Sequence, residues 1–186
     1  MKLTKYILVF LILALTIGCS QAEIGCSQEE DYEILGRKVR SQTAKQLRKE
    51  VDLIPAGTMG QMMGDIQAMG LSFNYYNLLD LEEARDLLVY AAEVFLKNIN
   101  ENKKIRPYLH NYPFTPKNIE IVIFIYQPDG SEPNQGNLSV LTLRTGSLTF
   151  KLTAPSEYAP WPILHEETYE EGLEIYQNSK NESDDS

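Results

Sequence analysis

The run IEIVIFIY at residues 119–126 constrains this chain more than any other stretch. All of it except Glu120 is aliphatic or aromatic, and five residues are β-branched: Ile119, Ile121, Val122, Ile123 and Ile125. A run this short and this rich in Ile and Val suits a strand rather than a helix. It predicts a central strand buried on both faces, which requires neighbouring strands beside it and other elements above and below.

The neighbours are readable from local patterns. Strands are expected at 138–144 and 147–153, joined by a tight turn at Thr145-Gly146. In the second, Leu148, Phe150 and Leu152 alternate with Ser147, Thr149 and Lys151. LSFNYYN at 71–77 alternates in the same way. Asp80 with Glu83 has the spacing of a capping box and opens a helix over about 81–99. Its apolar stripe is Leu81, Ala84, Leu87, Leu88, Ala91, Val94, Phe95 and Ile99. The proline-rich IRPYLHNYPFTPKN that follows is expected to be extended and irregular.

Leu35, Val39, Leu47 and Val51 recur at multiples of four and predict an earlier helix over 35–53. Its other faces carry Arg37, Lys38, Arg40, Lys45, Arg48 and Lys49, a concentrated basic patch. Two readings stand: a basic helix lying near an anionic membrane, or a solvated face that pairs with acids of the same domain. Pro55 and Gly70 suit the first turn and the C-cap of a second helix. A last, acidic helix is expected over 163–178. The resulting order is α-α-β-α-β-β-β-α. It defines an α+β fold with an antiparallel or mixed sheet of about four strands packed against helices on one face.

The segment between Pro55 and Gly70 is unusual. Ala56, Gly60, Gly64 and Ala68 stand four apart, and Met59, Met62, Met63, Ile66 and Met69 flank them. On a helix these residues form a bare seam edged by pliable side chains. Each interior glycine costs a helix about 1 kcal/mol relative to alanine. Close approach of another backbone would offset that cost. The seam is filled either by the domain's own helix 81–99 or by a partner. Met59, Gly60, Met63, Gly64 and Met69 are therefore the candidate interaction surface.

The N-terminus has a different logic. Lys2 and Lys5 precede an uncharged run from Tyr6 to Ile17. Twelve helical residues span about 18 Å, short of the roughly 30 Å of a bilayer core. This is the composition of a secretory signal peptide, with a short membrane anchor as the alternative. Thr16-Ile17-Gly18-Cys19 resembles the lipobox of bacterial lipoproteins, although Thr16 stands where the family prefers an aliphatic residue. The resemblance implies cleavage before Cys19 and a lipid on its thiol. It places the protein on the bacterial membrane, anchored and facing outside the cytoplasm. Cleavage after Ala22, in Ser20-Gln21-Ala22, would instead release a soluble secreted protein. Cys26, in the second copy of IGCSQ, has Glu23 at the aliphatic position and fits the lipobox poorly. The expected organisation is a signal peptide at 1–18, a lipid-anchored tether at 19–34, one α+β domain at 35–178 and a disordered acidic tail at 179–186.

Charge limits the function. The formal net charge is −9, and removing residues 1–18 takes away two lysines and no acid, leaving −11. An acidic chain is a poor nucleic-acid binder, because binding needs clustered cations to displace counterions. No P-loop, dinucleotide fingerprint or G-x-S-x-G elbow occurs, and no cofactor is expected. HEETYEE gathers His165, Glu166, Glu167, Tyr169, Glu170 and Glu171, and His110 lies in the linker. Tyr169 stands where a zinc hydrolase needs its second histidine. Methionine thioethers suit Cu(I), but a methionine stripe is more ordinarily core or contact surface. No metal site is therefore expected. YLHNYPFTPKNIEI and EETYEE are similar to a family of uncharacterised small bacterial proteins, which implies no activity. The chain is read as a non-enzymatic, protein-binding lipoprotein. The alternative is a carrier of a small apolar ligand or metal ion.

Overall fold

The computed structural model describes the backbone from Cys26 to Asp184 and the side chains from Tyr32 to Asn181. The lipobox, Cys19 and the cleavage site after Ala22 lie outside the described residues. From Tyr32 onward the described residues form one compact unit. Its elements are α1 (Cys26–Val51), β1 (Ile54–Met62), β2 (Ile66–Tyr75), α2 (Leu81–Glu101), β3 (Ile119–Ile125), β4 (Leu138–Arg144), β5 (Ser147–Leu152), β6 (Ile163–Thr168) and α3 (Tyr169–Asp184).

The fold is α+β, as expected, but the sheet has six strands in the order β1-β2-β3-β4-β5-β6. Only β2 and β3 are parallel; they are the two strands joined through α2. The other neighbours are antiparallel. Thr145 (φ 51°) and Gly146 (φ 82°) make the β4–β5 turn, both in left-handed conformation. Such a two-residue turn matches the right-handed twist of its strands.

Local expectations are corrected in several places. Residues 55–70 form the β1–β2 hairpin, not a helix. A spacing of four is a whole turn for a helix and two full repeats for a strand, so the small-residue pattern was compatible with either. Antiparallel pairing of 54–62 with 66–74 decided for the strand; glycine costs both kinds of element and does not choose between them. Residues 163–168 are β6, and the helix begins only at Tyr169. Thr168 caps it: its Oγ1 accepts from the Glu171 amide at 3.2 Å, and Glu171 Oε2 accepts from the Thr168 amide at 2.8 Å. The helix then runs to Asp184, through residues expected to be a disordered tail.

β3 is central, and the helices cover only one side of it. Ile119, Ile121, Ile123 and Ile125 are buried, whereas Glu120, Val122 and Phe124 are half-buried. The buried set continues across the sheet through Met69, Leu71 and Phe73 on β2 and Leu141 and Leu143 on β4, and through Leu148 and Phe150 on β5. α2 packs over β3 and β4, and α3 over β5 and β6. α2 also carries the expected capping box at Asp80 and Glu83. α1 buries Val39 and Leu47, and its Thr43 and Gln46 both accept from Asn98 of α2 at 3.0 Å. Among the described residues no helix is long and apolar enough to cross a membrane.

Candidate functional site

The structure places the five residues of the expected seam on one hairpin rather than on one helix face. Met69 is fully buried in the core and is unavailable to a partner. Met59 is half-buried on β1 and lies over Gly70 of β2, where an added Cβ would come within 2.3 Å of its Cγ. Met63, 82% exposed, and Gly64 lie in the hairpin turn. Gly60 faces the carbonyl of Ala68 across the hairpin. The other four residues lie along β1 and the turn that follows it. Two histidines that might have converged are also separated. His110 bonds Asp65 through Nδ1 at 2.6 Å beside the β1–β2 turn, while His165 sits on β6, beyond three intervening strands. Among the described residues no group of three or more His, Cys, Asp or Glu side chains is arranged to hold a metal ion.

What the structure assembles instead is a groove of about 490 Å³ between α1 and β1. Arg37, Arg40, Ala44 and Arg48, and likewise Arg37, Ser41, Lys45 and Arg48, recur at three- and four-residue spacings, so all six share one face of α1. That face looks across to Pro55, Ala56, Gly57 and Thr58 of β1, with Leu71 also in the lining. No ion pair joins any of these four cations to a carboxylate among the described residues. Burial pushes the Arg40 guanidinium below its ordinary pKa, and neighbouring Arg37 adds to the effect; Glu33 opposes both. Arg40 Nε is buried without a hydrogen-bond partner. An unused donor on a face of four cations is set up to bind an anion.

β1 supplies the other half of the site. It pairs with β2 alone, so one row of its backbone amides and carbonyls is unpaired, and nearly all of the strand is exposed. Edges of this kind are usually blunted by proline, charge or bulges. Here Pro55 and register shifts at Pro55/Gly57 and Gln61/Met62 limit the ends, leaving Gly57–Gln61 regular. The sequence signalled the cations, since no acid interrupts residues 37–49. It does not signal the edge, because small residues four apart predict a helix there.

A second polar cluster is buried and structural. Arg85 of α2 donates to both oxygens of Glu167 on β6, at 2.7 and 3.1 Å, with side-chain exposures of 10% and 6%. His165 Nε2 lies 2.9 Å from the same carboxylate. Gly172 lets α3 approach: an added Cβ would lie 3.2 Å from Glu167 Oε1 and 2.5 Å from Leu148 Cδ1. Nearby, the Tyr169 hydroxyl donates to Glu93, and burial drives that phenol far above its ordinary pKa. These contacts fasten β6 and α3 to α2. The EETYEE pattern showed the acids but not their partner, because Arg85 is 82 residues away from Glu167.

The fold and site define an α+β domain with a mixed sheet, helices on one face and a basic groove along one strand edge. No family model, curated protein or solved structure matches the chain. Function therefore rests on geometry and chemistry alone.

Proposed function

We propose that this protein is an exported bacterial lipoprotein, anchored through a lipid on Cys19 and facing outside the cytoplasm. Its domain binds another protein without catalysing a reaction on it. The observation that supports this reading is the basic face of α1, free of ion pairs among the described residues, beside the unpaired edge of β1, in a chain of net charge −9. An extended acidic segment of the partner fits both halves. Its backbone completes β1 by strand addition, and its carboxylates meet Arg37, Arg40, Lys45 and Arg48.

The test uses the full-length protein in cells, with a photo-reactive residue at exposed Thr58. A discrete protein adduct is expected, and the Arg40→Glu, Arg48→Glu double variant should remove it. A lipid adduct instead would place the basic face against the membrane. An adduct unchanged by charge reversal would refute the groove as the site. Anchoring is tested separately. Cys19→Ser should accumulate as uncleaved precursor, whereas Cys26→Ser should mature normally and partition into detergent. A soluble, mature Cys19→Ser protein would favour cleavage after Ala22.

A further inference from the structure

A second concavity lies on the sheet face that the helices leave open. Phe124 of β3 is paired in register with Val140 of β4, and both belong to that face. Val140 is nevertheless buried. The connection from β5 to β6, residues 153–162, crosses above it and closes a groove of about 610 Å³, within the range of small-molecule sites. Phe124, Tyr126, Val140, Pro160 and Trp161 give it apolar and aromatic walls.

The connection is held in place rather than loose. The Leu152 amide donates to the Pro162 carbonyl at 2.8 Å, and the Thr153 amide to Asn137 O at 2.9 Å. Gln135 Nε2 donates to the Pro155 carbonyl at 3.1 Å. The groove is thus largely formed before any ligand arrives.

Its charge is one-sided. Glu132 and Glu157 belong to the lining, and no lysine, arginine or histidine does. Neither carboxylate forms an ion pair among the described residues. Trp161 remains 47% exposed in the wall. Aromatic faces attract cations through the ring quadrupole, and this is strongest for tryptophan. An unpaired carboxylate adds a second attraction of the same sign.

We propose that this groove binds a small organic cation, with an ammonium group held between the aromatic wall and the carboxylates of Glu132 and Glu157. The site is independent of the β1 edge. A neutral apolar ligand would gain from the walls alone. The two acids select the charged one.

Trp161 is the only tryptophan in the chain, so its fluorescence reports on this groove and nothing else. Titrating the full-length protein in detergent with choline should give a saturable change. Its uncharged carbon isostere, 3,3-dimethylbutan-1-ol, should give none at equal concentration. Glu157→Gln with Glu132→Gln, both solvent-facing changes, should weaken choline binding at least about tenfold while leaving the unfolding midpoint unchanged. Ethanolamine in place of choline distinguishes a primary from a quaternary ammonium, and a saturable response to either supports the site. No saturable response to either cation would overturn the proposal. So would an equal response to the neutral isostere, or undiminished binding by the double variant.

Discussion

Glu167→Ala is expected to lower the free energy of unfolding by about 3–5 kcal/mol, because it leaves Arg85 buried and unpaired. The wild-type pair is a two-point fork between α2 and β6, with both side chains nearly inaccessible. Alanine removes both acceptor oxygens from a guanidinium that is only 10% exposed. Replacing both partners by apolar residues of similar reach, Arg85→Met with Glu167→Leu, removes the uncompensated charge. That double variant should regain most of the loss. Urea unfolding of the three proteins, read from the midpoint at constant slope, makes the comparison. If Glu167→Ala costs less than about 1 kcal/mol, the cluster does not fasten β6 and α3 to α2.

Gly60→Ala should be the next most damaging change, at about 2–4 kcal/mol. Two independent costs add. Gly60 has φ of +151°, backbone that L residues rarely adopt. Its added Cβ would also sit 2.6 Å from the carbonyl oxygen of Ala68, a backbone atom that cannot swing aside. Gly64→Ala is the control. Gly64 also has positive φ, +79°, but nothing lies within 4 Å of an added Cβ. Only the conformational cost remains, about 1 kcal/mol. Unfolding midpoints that fall equally for the two variants would show that close approach contributes nothing at Gly60. The contrast also measures how the two glycines differ: one is pressed against the neighbouring strand, the other stands free in a turn.

That pair of glycines shows where reading the sequence succeeded and where it stopped. Close backbone approach was expected at both, from spacing alone, and it occurs at Gly60. The neighbour is the antiparallel strand of the same hairpin, not a second helix. For the candidate site the division is similar. Six basic residues without an intervening acid, on one predicted helix, marked the cationic half of the groove. The half supplied by β1 was hidden, because an edge exists only once it is known which strands pair and which strand is last.

By itself the sequence determined everything that depends on a few neighbouring residues. The capping box of Asp80 and Glu83 set the start of α2, and Thr145-Gly146 set the β4–β5 turn. The dense run at 119–125 set a strand at the centre of the sheet. Each of these acts through contacts within about four residues, or through a composition too apolar to be left in water. Tertiary structure alone decided between helix and hairpin at 55–70, where small residues four apart satisfy both periods. It decided that Ile163–Thr168 pair with β5 before α3 begins, a choice settled by the free edge of β5 and by the reach of Arg85 to Glu167. It also decided that the helices cover one sheet face, leaving Phe124 and Val140 beneath the 153–162 connection. Those outcomes depend on partners far apart in the chain, and local propensity carries no information about them.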